Sequence, residues 1–374
     1  MAPPHRVFIT IGGPQAHPDR TGLLPHRAAQ FAGTSAAIVS QPGFDILRGM
    51  ASIHTVRGPL DAAQLGVTLM HEHVFVLSTE ILQNYPDIWG DEERRIADAA
   101  ARLNELYALG VRSIVDLTVI GLGRYIPRIQ RVAALTPLQI VVATGVYTYN
   151  DLPFHFHFQG PGTILDGPEP MVEMFVRDIE EGIAGTGVRA AMLKCATDQP
   201  GVTPGVERVL RAVAQAHRQT GVPISTHTHA ATRRGLEQQR IFEQEGVDLS
   251  RVVIGHSGDT TDIAYLEELI ARGSYLGMDR FGIDTFLPFE DRVNTVVRMC
   301  ERGHAGRMVL SHDAACFNDW IPGRAAPLIP NWHYLHIHKD VLPALRARGV
   351  TDAQIETMLV DNPRRIFERQ GAYR

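Results

Sequence analysis

From position 68 onward the chain alternates between two hydrophobic rhythms. Short runs of mostly apolar residues recur: TLMHEHVFV (68–76), RSIVDLTV (112–119), QIVVATGVY (139–147), RAAMLKCA (189–196), PISTHTH (223–229), RVVIGHSG (251–258), SYLGMDRFG (274–282) and MVLSHDA (308–314). Their shortness and their β-branched content predict strands buried on both faces. Between them lie longer stretches with apolar residues every three or four positions. In DEERRIADAAARLNELYALG (91–110), Ile96, Ala100, Leu103 and Leu106 form one stripe with Asp, Glu and Arg between them, the pattern of an amphipathic helix. TPGVERVLRAVAQAHRQTG (203–221) reads the same way, and both stretches end at a glycine, a common helix stop. Eight alternations of strand and helix predict an α/β fold with its parallel sheet closed into a TIM barrel. The competing arrangement is an open doubly wound sheet, which more often carries a Gly-rich phosphate turn after its first strand. Here that strand reads HEHVF instead.

Residues 1–49 follow neither rhythm. They are rich in Ala, Gly and Pro and hold only Asp19 and Asp45 as acids, and Met50 then opens MASIHTVRGPLDAAQLG, where regular structure is expected to begin. The expected division is an N-terminal extension over 1–49, either a disordered arm or an upstream stretch if translation starts at Met50, followed by a barrel domain over 50–374.

Composition narrows the partners more than the fold. A chain of 374 residues, 44% apolar and 21% charged, has the make-up of an ordinary globular protein and ample length for a barrel, which takes about 250 residues before insertions. The net charge of −5, with no cluster of Lys and Arg, argues against nucleic acid as a partner. Cys195, Cys300 and Cys316 are odd in number and far apart, which supports neither a disulfide framework nor a cysteine zinc site and fits a reducing cytoplasm. No apolar run approaches the length of a membrane span, and MAPPHRVFITIGG lacks the charged start and apolar length of a secretory signal. A cytoplasmic protein without a membrane partner is expected.

A barrel concentrates its chemistry at the C-terminal ends of its strands. Near the ends of five of the eight runs stand residues able to bind a metal: His71 and His73, Lys194, His227, His256 and Asp313. Singly, each has an ordinary explanation. His71 and His73 share a face of a strand and could be a pair of hydrogen-bonded core histidines; His256 could be held by a carbonyl; Asp313 could cap a helix. Lys194 is harder to dismiss, because an ammonium buried in a barrel mouth is costly unless paired or chemically altered. Together in one mouth, the ordinary explanations fail. Imidazole and carboxylate suit zinc, cobalt, iron or manganese rather than copper(I).

These residues resemble those of the phosphotriesterase family of the amidohydrolase superfamily, and within it the phosphotriesterase-like lactonases, over a stretch from about Val56 to Phe367. The resemblance implies a binuclear metal centre. HEH at 71–73 matches the first-strand pair, Lys194 the lysine carboxylated by carbon dioxide to bridge the metals, His227 and His256 the ligands of strands five and six, and Asp313 the eighth-strand aspartate. In THTH the family pattern selects His227 as ligand and leaves His229 behind it or in the pocket wall. His71, His73 and Asp313 would hold the more buried metal, and His227 and His256 the other. Two such ions, zinc above all, supply a nucleophile and a Lewis acid at neutral pH, and Asp313 would accept the proton and pass it outward.

The substrate is expected from the loops. GVYTYNDLPFHFHFQG (145–160) carries Tyr147 and Tyr149 in the lactonase branch's pattern, with Tyr147 against the lactone, and MDRFGID (278–284) places Arg280 to touch substrate or fix its loop. His155 and His157 lack further ligands and are read as pocket lining or surface. Between Asp313 and the next helix, near Lys339, about 25 residues holding Trp320, Ile321, Leu328, Ile329 and Trp332 are expected to wall a hydrophobic channel for an acyl chain. The resemblance thus implies a homodimeric lactonase acting on N-acyl homoserine lactones, with side activity on organophosphate triesters. A dedicated triesterase or other ester hydrolase is the second expectation, and a metal-binding barrel without turnover, a lactone sensor or scaffold, the third.

Overall fold

The computed structural model describes residues 51–321, 323–368 and 371–373; the expected extension over 1–49 lies outside them. Each predicted run forms one strand of a parallel sheet: β1 Thr68–Val76, β2 Ser113–Asp116, β3 Gln139–Gly145, β4 Met192–Thr197, β5 Ile224–Thr228, β6 Val252–Ile254, β7 Tyr275–Met278 and β8 Met308–Leu310. Consecutive strands pair in parallel from β1 to β8. The chain then leaves β8 and runs back along β1. Asp313 N–H donates to the His71 carbonyl at 3.0 Å, and His73 N–H to that of Ala314 at 2.9 Å. A ninth strand, β9 Ala315–Asn318, continues this contact in parallel with β1, and so the sheet curls into a barrel. The segment after Asp313 is therefore not one loop, as expected: it holds β9 and a 3-10 stretch at Gly323–Leu328 before helix resumes at Ile337.

Side-chain alternation explains why the runs are apolar throughout. Ile114, Ile140, Val142 and Leu193 belong to a layer shared with the surrounding helices, whereas Val115, Val141, Ala143 and Met192 belong to the barrel interior. Both faces of each strand are buried, which removes the polar alternation of a half-exposed sheet. The helices that cover the barrel follow the predicted stripes. Glu92–Ala108 buries Ile96, Ala99, Ala100, Leu103 and Leu106 and is capped by Asp91, whose side chain accepts the Arg94 N–H; Pro204–Thr220 starts on a Thr203 cap and ends at Gly221 with φ of 76°.

The two ends of the barrel differ. Toward the N-terminal ends of the strands, Ile53 of a hairpin (Ser52–Thr55 with Gly58–Asp61) and Ile366 and Phe367 of the last helix complete the interior cluster. At the other end the interior becomes titratable. No helix among the described residues is long and apolar enough to cross a membrane, and all three cysteines are free.

Candidate active site

The six residues singled out as ligands converge in the barrel mouth. His71 and His73 both reach the interior because the register of β1 on β2 shifts between Leu69 and Glu72, a bulge of the kind that re-aims side chains at functional sites. Lys194 lies mid-strand in β4, 1% exposed, between outward-packing Leu193 and Cys195. His227 is on β5. His256 and Asp313 lie just beyond β6 and β8, and both take left-handed backbone conformations, φ 59° and 56°. Such conformations cost a non-glycine residue about 1–3 kcal/mol and persist where the surroundings over-determine them.

The hydrogen bonds behind the imidazoles fix which nitrogen each presents. Asp279 accepts Nδ1–H of His71 at 2.8 Å on one oxygen and Nδ1–H of His256 at 2.9 Å on the other, which also takes the His256 amide at 2.7 Å. The Thr118 hydroxyl donates to Asp116 at 2.5 Å, so its oxygen accepts from His73 Nδ1 at 2.8 Å. Asp198 accepts from His227 Nε2 at 2.5 Å. With these protons placed, the front nitrogens are bare lone pairs. They face one another: His256 Nε2 and His227 Nδ1 are 2.8 Å apart, and His73 Nε2 is 3.1 Å from Asp313 Oδ1, which is 3.3 Å from His71 Nε2.

Acceptors converging on acceptors call for a cation, and the set fits divalent metals held by imidazole and carboxylate. His71, His73 and Asp313 have ligand atoms within 4.8 Å of one another, as expected for one ion, and the facing nitrogens of His227 and His256, 2.8 Å apart, could take part in holding another. His71, His256 and Asp279 also cluster, but there the contacts are the Nδ1 hydrogen bonds just described. Asp279 thus orients the His71 and His256 rings from behind, the carboxylate–imidazole arrangement usual behind metal-binding histidines.

Electrostatics agree with this assignment. Burial holds His71 and His256 well below the ordinary imidazole value, with Lys194 and Arg280 adding to it, and takes His227 to about 4. The rings are neutral at physiological pH, as ligands must be. Burial pushes the Asp313 carboxyl up, but His71, His73 and Arg280 overcome it and hold the group ionised. Burial also takes the Lys194 amine down to about 8. Its hydrogen-bond partners among the described residues are His71 Nε2 at 3.1 Å and the Thr226 carbonyl at 3.3 Å, neither of them an anion.

Over the six residues lies a cavity of about 280 Å³ whose walls include Tyr147, Tyr149, Arg280, Trp320, Ile321, Ile329 and Trp332. Tyr147 Oη is 3.3 Å from His227 Nδ1 and bonded to Tyr149 Oη. Arg280 donates to Asp313 Oδ2 at 3.0 Å and to Asp259 at 3.0 Å, and Asp259 is held from behind by buried Arg292 at 2.6 Å. One expectation needs correction: Leu328 is 74% exposed and is not among the residues that line the cavity. Of the alternatives left open for the other histidines, His229 bonds the Thr232 hydroxyl at 2.8 Å and is not part of the cavity wall, and His157 stacks on exposed Phe154, also outside the wall. Sequence reasoning missed the carboxylates behind the imidazoles, Asp116, Asp198 and Asp279, and Asp259 behind Arg280. Their proximity in sequence to strand ends, as in MDR and HSGD, was the available signal.

Barrel and site together define a metal-dependent hydrolase. Residues 51–367 match the phosphotriesterase family, and the chain belongs to it. It is 73% identical over 325 residues to a phosphotriesterase homology protein of Mycobacterium tuberculosis (strain ATCC 25618 / H37Rv), covering 87% of this chain and 100% of that one. It is 39% identical over 313 residues to the aryldialkylphosphatase of Saccharolobus solfataricus (strain ATCC 35092 / DSM 1617 / JCM 11322 / P2), covering 82% and 96% of the two chains. The solved structure of the phosphotriesterase from Mycobacterium tuberculosis superposes with a TM-score of 0.85 at 73% identity, over 86% of this chain and 100% of that one.

Proposed function

We propose that the protein opens lactone rings, N-acyl homoserine lactones foremost, and hydrolyses organophosphate triesters more slowly. The observation that carries this reading is the asymmetry of the mouth: a pair of bonded phenols, Tyr147 and Tyr149, stands beside His227 with Tyr147 Oη 3.3 Å from its Nδ1, and an apolar wall of Trp320, Ile321, Ile329 and Trp332 lines the same cavity. A ring with one carbonyl and a long acyl arm matches that division.

His71, His73, His227, His256 and Asp313 would hold two divalent ions, zinc first among the candidates, with Lys194 as a carbamate supplying a further anionic ligand. With its pKa lowered to about 8 the Lys194 ammonium gives up its proton more readily than a free lysine, and the amine so formed would bond to carbon dioxide and release a second proton, replacing a buried cation by an anion. Bound, the ions supply Lewis acidity and a nucleophile at neutral pH. Asp313 would accept a proton from the attacking group. Arg280 keeps Asp313 oriented and ionised but takes no proton itself, since a guanidinium does not give one up. Burial and the neighbouring Tyr149 raise the Tyr147 pKa, so its phenol stays a donor, suited to the ring oxygen as the bond breaks.

A dedicated triesterase is the second reading, favoured by the 39% identity to a protein named for aryldialkylphosphatase activity. One preparation loaded with zinc or cobalt separates the two through the ratio of kcat/KM for a long-chain acyl homoserine lactone to that for an aryl dialkyl phosphate triester. A ratio far above one is expected, and a ratio well below one transfers the assignment to the triester. Binding of lactone without turnover of either compound would make the protein a sensor. Isotope-labelled bicarbonate, followed by carbon NMR, tests the carbamate independently of substrate.

A further inference from the structure

Glu72 sits between two ligands, fully buried, and the reading above gives it no task. Its carboxylate accepts four hydrogen bonds, all from one turn: the Ser311 hydroxyl at 2.9 Å, the His312 amide at 3.0 Å, His312 Nδ1 at 2.6 Å and the Ala314 amide at 3.0 Å. That turn carries Asp313 in its left-handed conformation, and the Asp313 amide itself is tied to the His71 carbonyl at 3.0 Å. Three consecutive amides are therefore pinned to β1, two of them by Glu72. His312, 0% exposed, faces the other way with its second nitrogen: Nε2 accepts the Ile337 amide at 2.9 Å, where helix resumes after the pocket segment. Its carbonyl takes the indole N–H of Trp332, a pocket-wall residue, at 3.0 Å.

We propose that Glu72 and His312 form a positioning latch: Glu72 sets the Asp313 turn against the metal ligands, and His312 ties that turn to the segment that walls the substrate pocket. The proposal rests on the metal-centre reading. A charged acceptor of four donors has no good amide replacement, because an amide places N–H against at least one donor. A half-satisfied buried network costs more than a missing bond. The two nitrogens of His312 do separable work. Nδ1 serves the turn and Nε2 serves the pocket segment.

The test uses the full chain loaded with cobalt, read by the visible absorption of the bound ion as well as by turnover. In Glu72→Gln the turn loosens, the cobalt spectrum changes, and kcat falls by about 10–100-fold, the usual cost of losing a partner behind a metal ligand, with KM little moved. His312→Asn keeps an amide N–H where Nδ1 stood and leaves Ile337 unpaired; it should keep the wild-type spectrum and kcat and raise KM. His312→Gln keeps an acceptor for Ile337 and loses the bond to Glu72; it should behave like Glu72→Gln. Asn362→Ala, which loses bonds to the Ala305 and Met308 carbonyls at the far end of the barrel, controls for stability alone. An unchanged spectrum in Glu72→Gln overturns the proposal, as does an identical pair of His312 variants or a shift no larger than that of Asn362→Ala. Should Glu72→Gln not fold, the His312 pair decides. Inactivity of the wild type on both substrate classes would sink the functional reading while leaving the spectra to judge the latch.

Discussion

Asp313 does more work per atom than any other residue in the mouth. One oxygen faces His71 and His73, and the other takes Arg280 at 3.0 Å and lies 3.8 Å from His256. Asp313→Asn keeps the shape and one acceptor oxygen but removes the group able to take a proton. Turnover should fall by about 100-fold or more, the range for a lost general base, while His71 and His73 retain much of the metal. Steady-state kinetics beside metal analysis by mass spectrometry checks this, and a variant with near-normal rate would remove the proton-accepting role. Asp313 was legible in sequence because it closes an apolar run with no packing reason to be there, and the same holds for His71, His73, Lys194, His227 and His256. The residues behind them were not. Asp279 beside Arg280 reads as a surface ion pair, and Glu72 in HEH reads as a spacer; only the fold reveals that Glu72 accepts four bonds from residues some 240 positions away.

At the scale of elements the strands were legible in place and trimmed in length. Continuous apolar runs mark their centres, but their predicted ends included residues such as His256 and Asp313, whose left-handed backbone leaves the sheet. β9 went unseen because four residues reading ACFN carry too little pattern; what makes them a strand is the free edge of β1 beside them. Close contact between strands also constrains Gly145, the last residue of β3. Its φ is 144°, and a Cβ there would overlap the Lys194 carbonyl. Gly145→Ala should therefore push β3 from β4 where Lys194 enters the site, costing at least about 1 kcal/mol and lowering metal content as well as the thermal midpoint. Gly167→Ala, with open space at the Cβ and no positive φ, supplies the comparison. A Gly145→Ala protein with the midpoint and metal content of Gly167→Ala would show that the strand ends are not in the tight contact described.

For the whole molecule, burying neutral imidazoles makes folding sensitive to acid far from the metal centre as well as in it. His217, 0% exposed on the helix Pro204–Thr220, donates Nδ1–H to the Val222 carbonyl at 2.7 Å and accepts the Tyr373 hydroxyl on Nε2 at 2.7 Å. Tyr373 in turn accepts the Asp248 amide at 2.6 Å, so this ring fastens the end of the chain to the barrel. Burial lowers its pKa from 6.5 to about 4. Between those values the unfolded chain binds a proton here and the folded one does not, so stability rises with pH across that window. The contribution is fully present above about 6.5 and is lost as pH falls toward 4. Each pH unit in the window is worth up to about 1.4 kcal/mol per such group. Urea unfolding of the metal-loaded protein at several pH values should show this slope, and His217→Gln, less stable at neutral pH, should show a shallower one by about one proton. An equal slope in the two proteins would mean that His217 is already protonated in the fold, and that its bond to Tyr373 runs in the opposite direction.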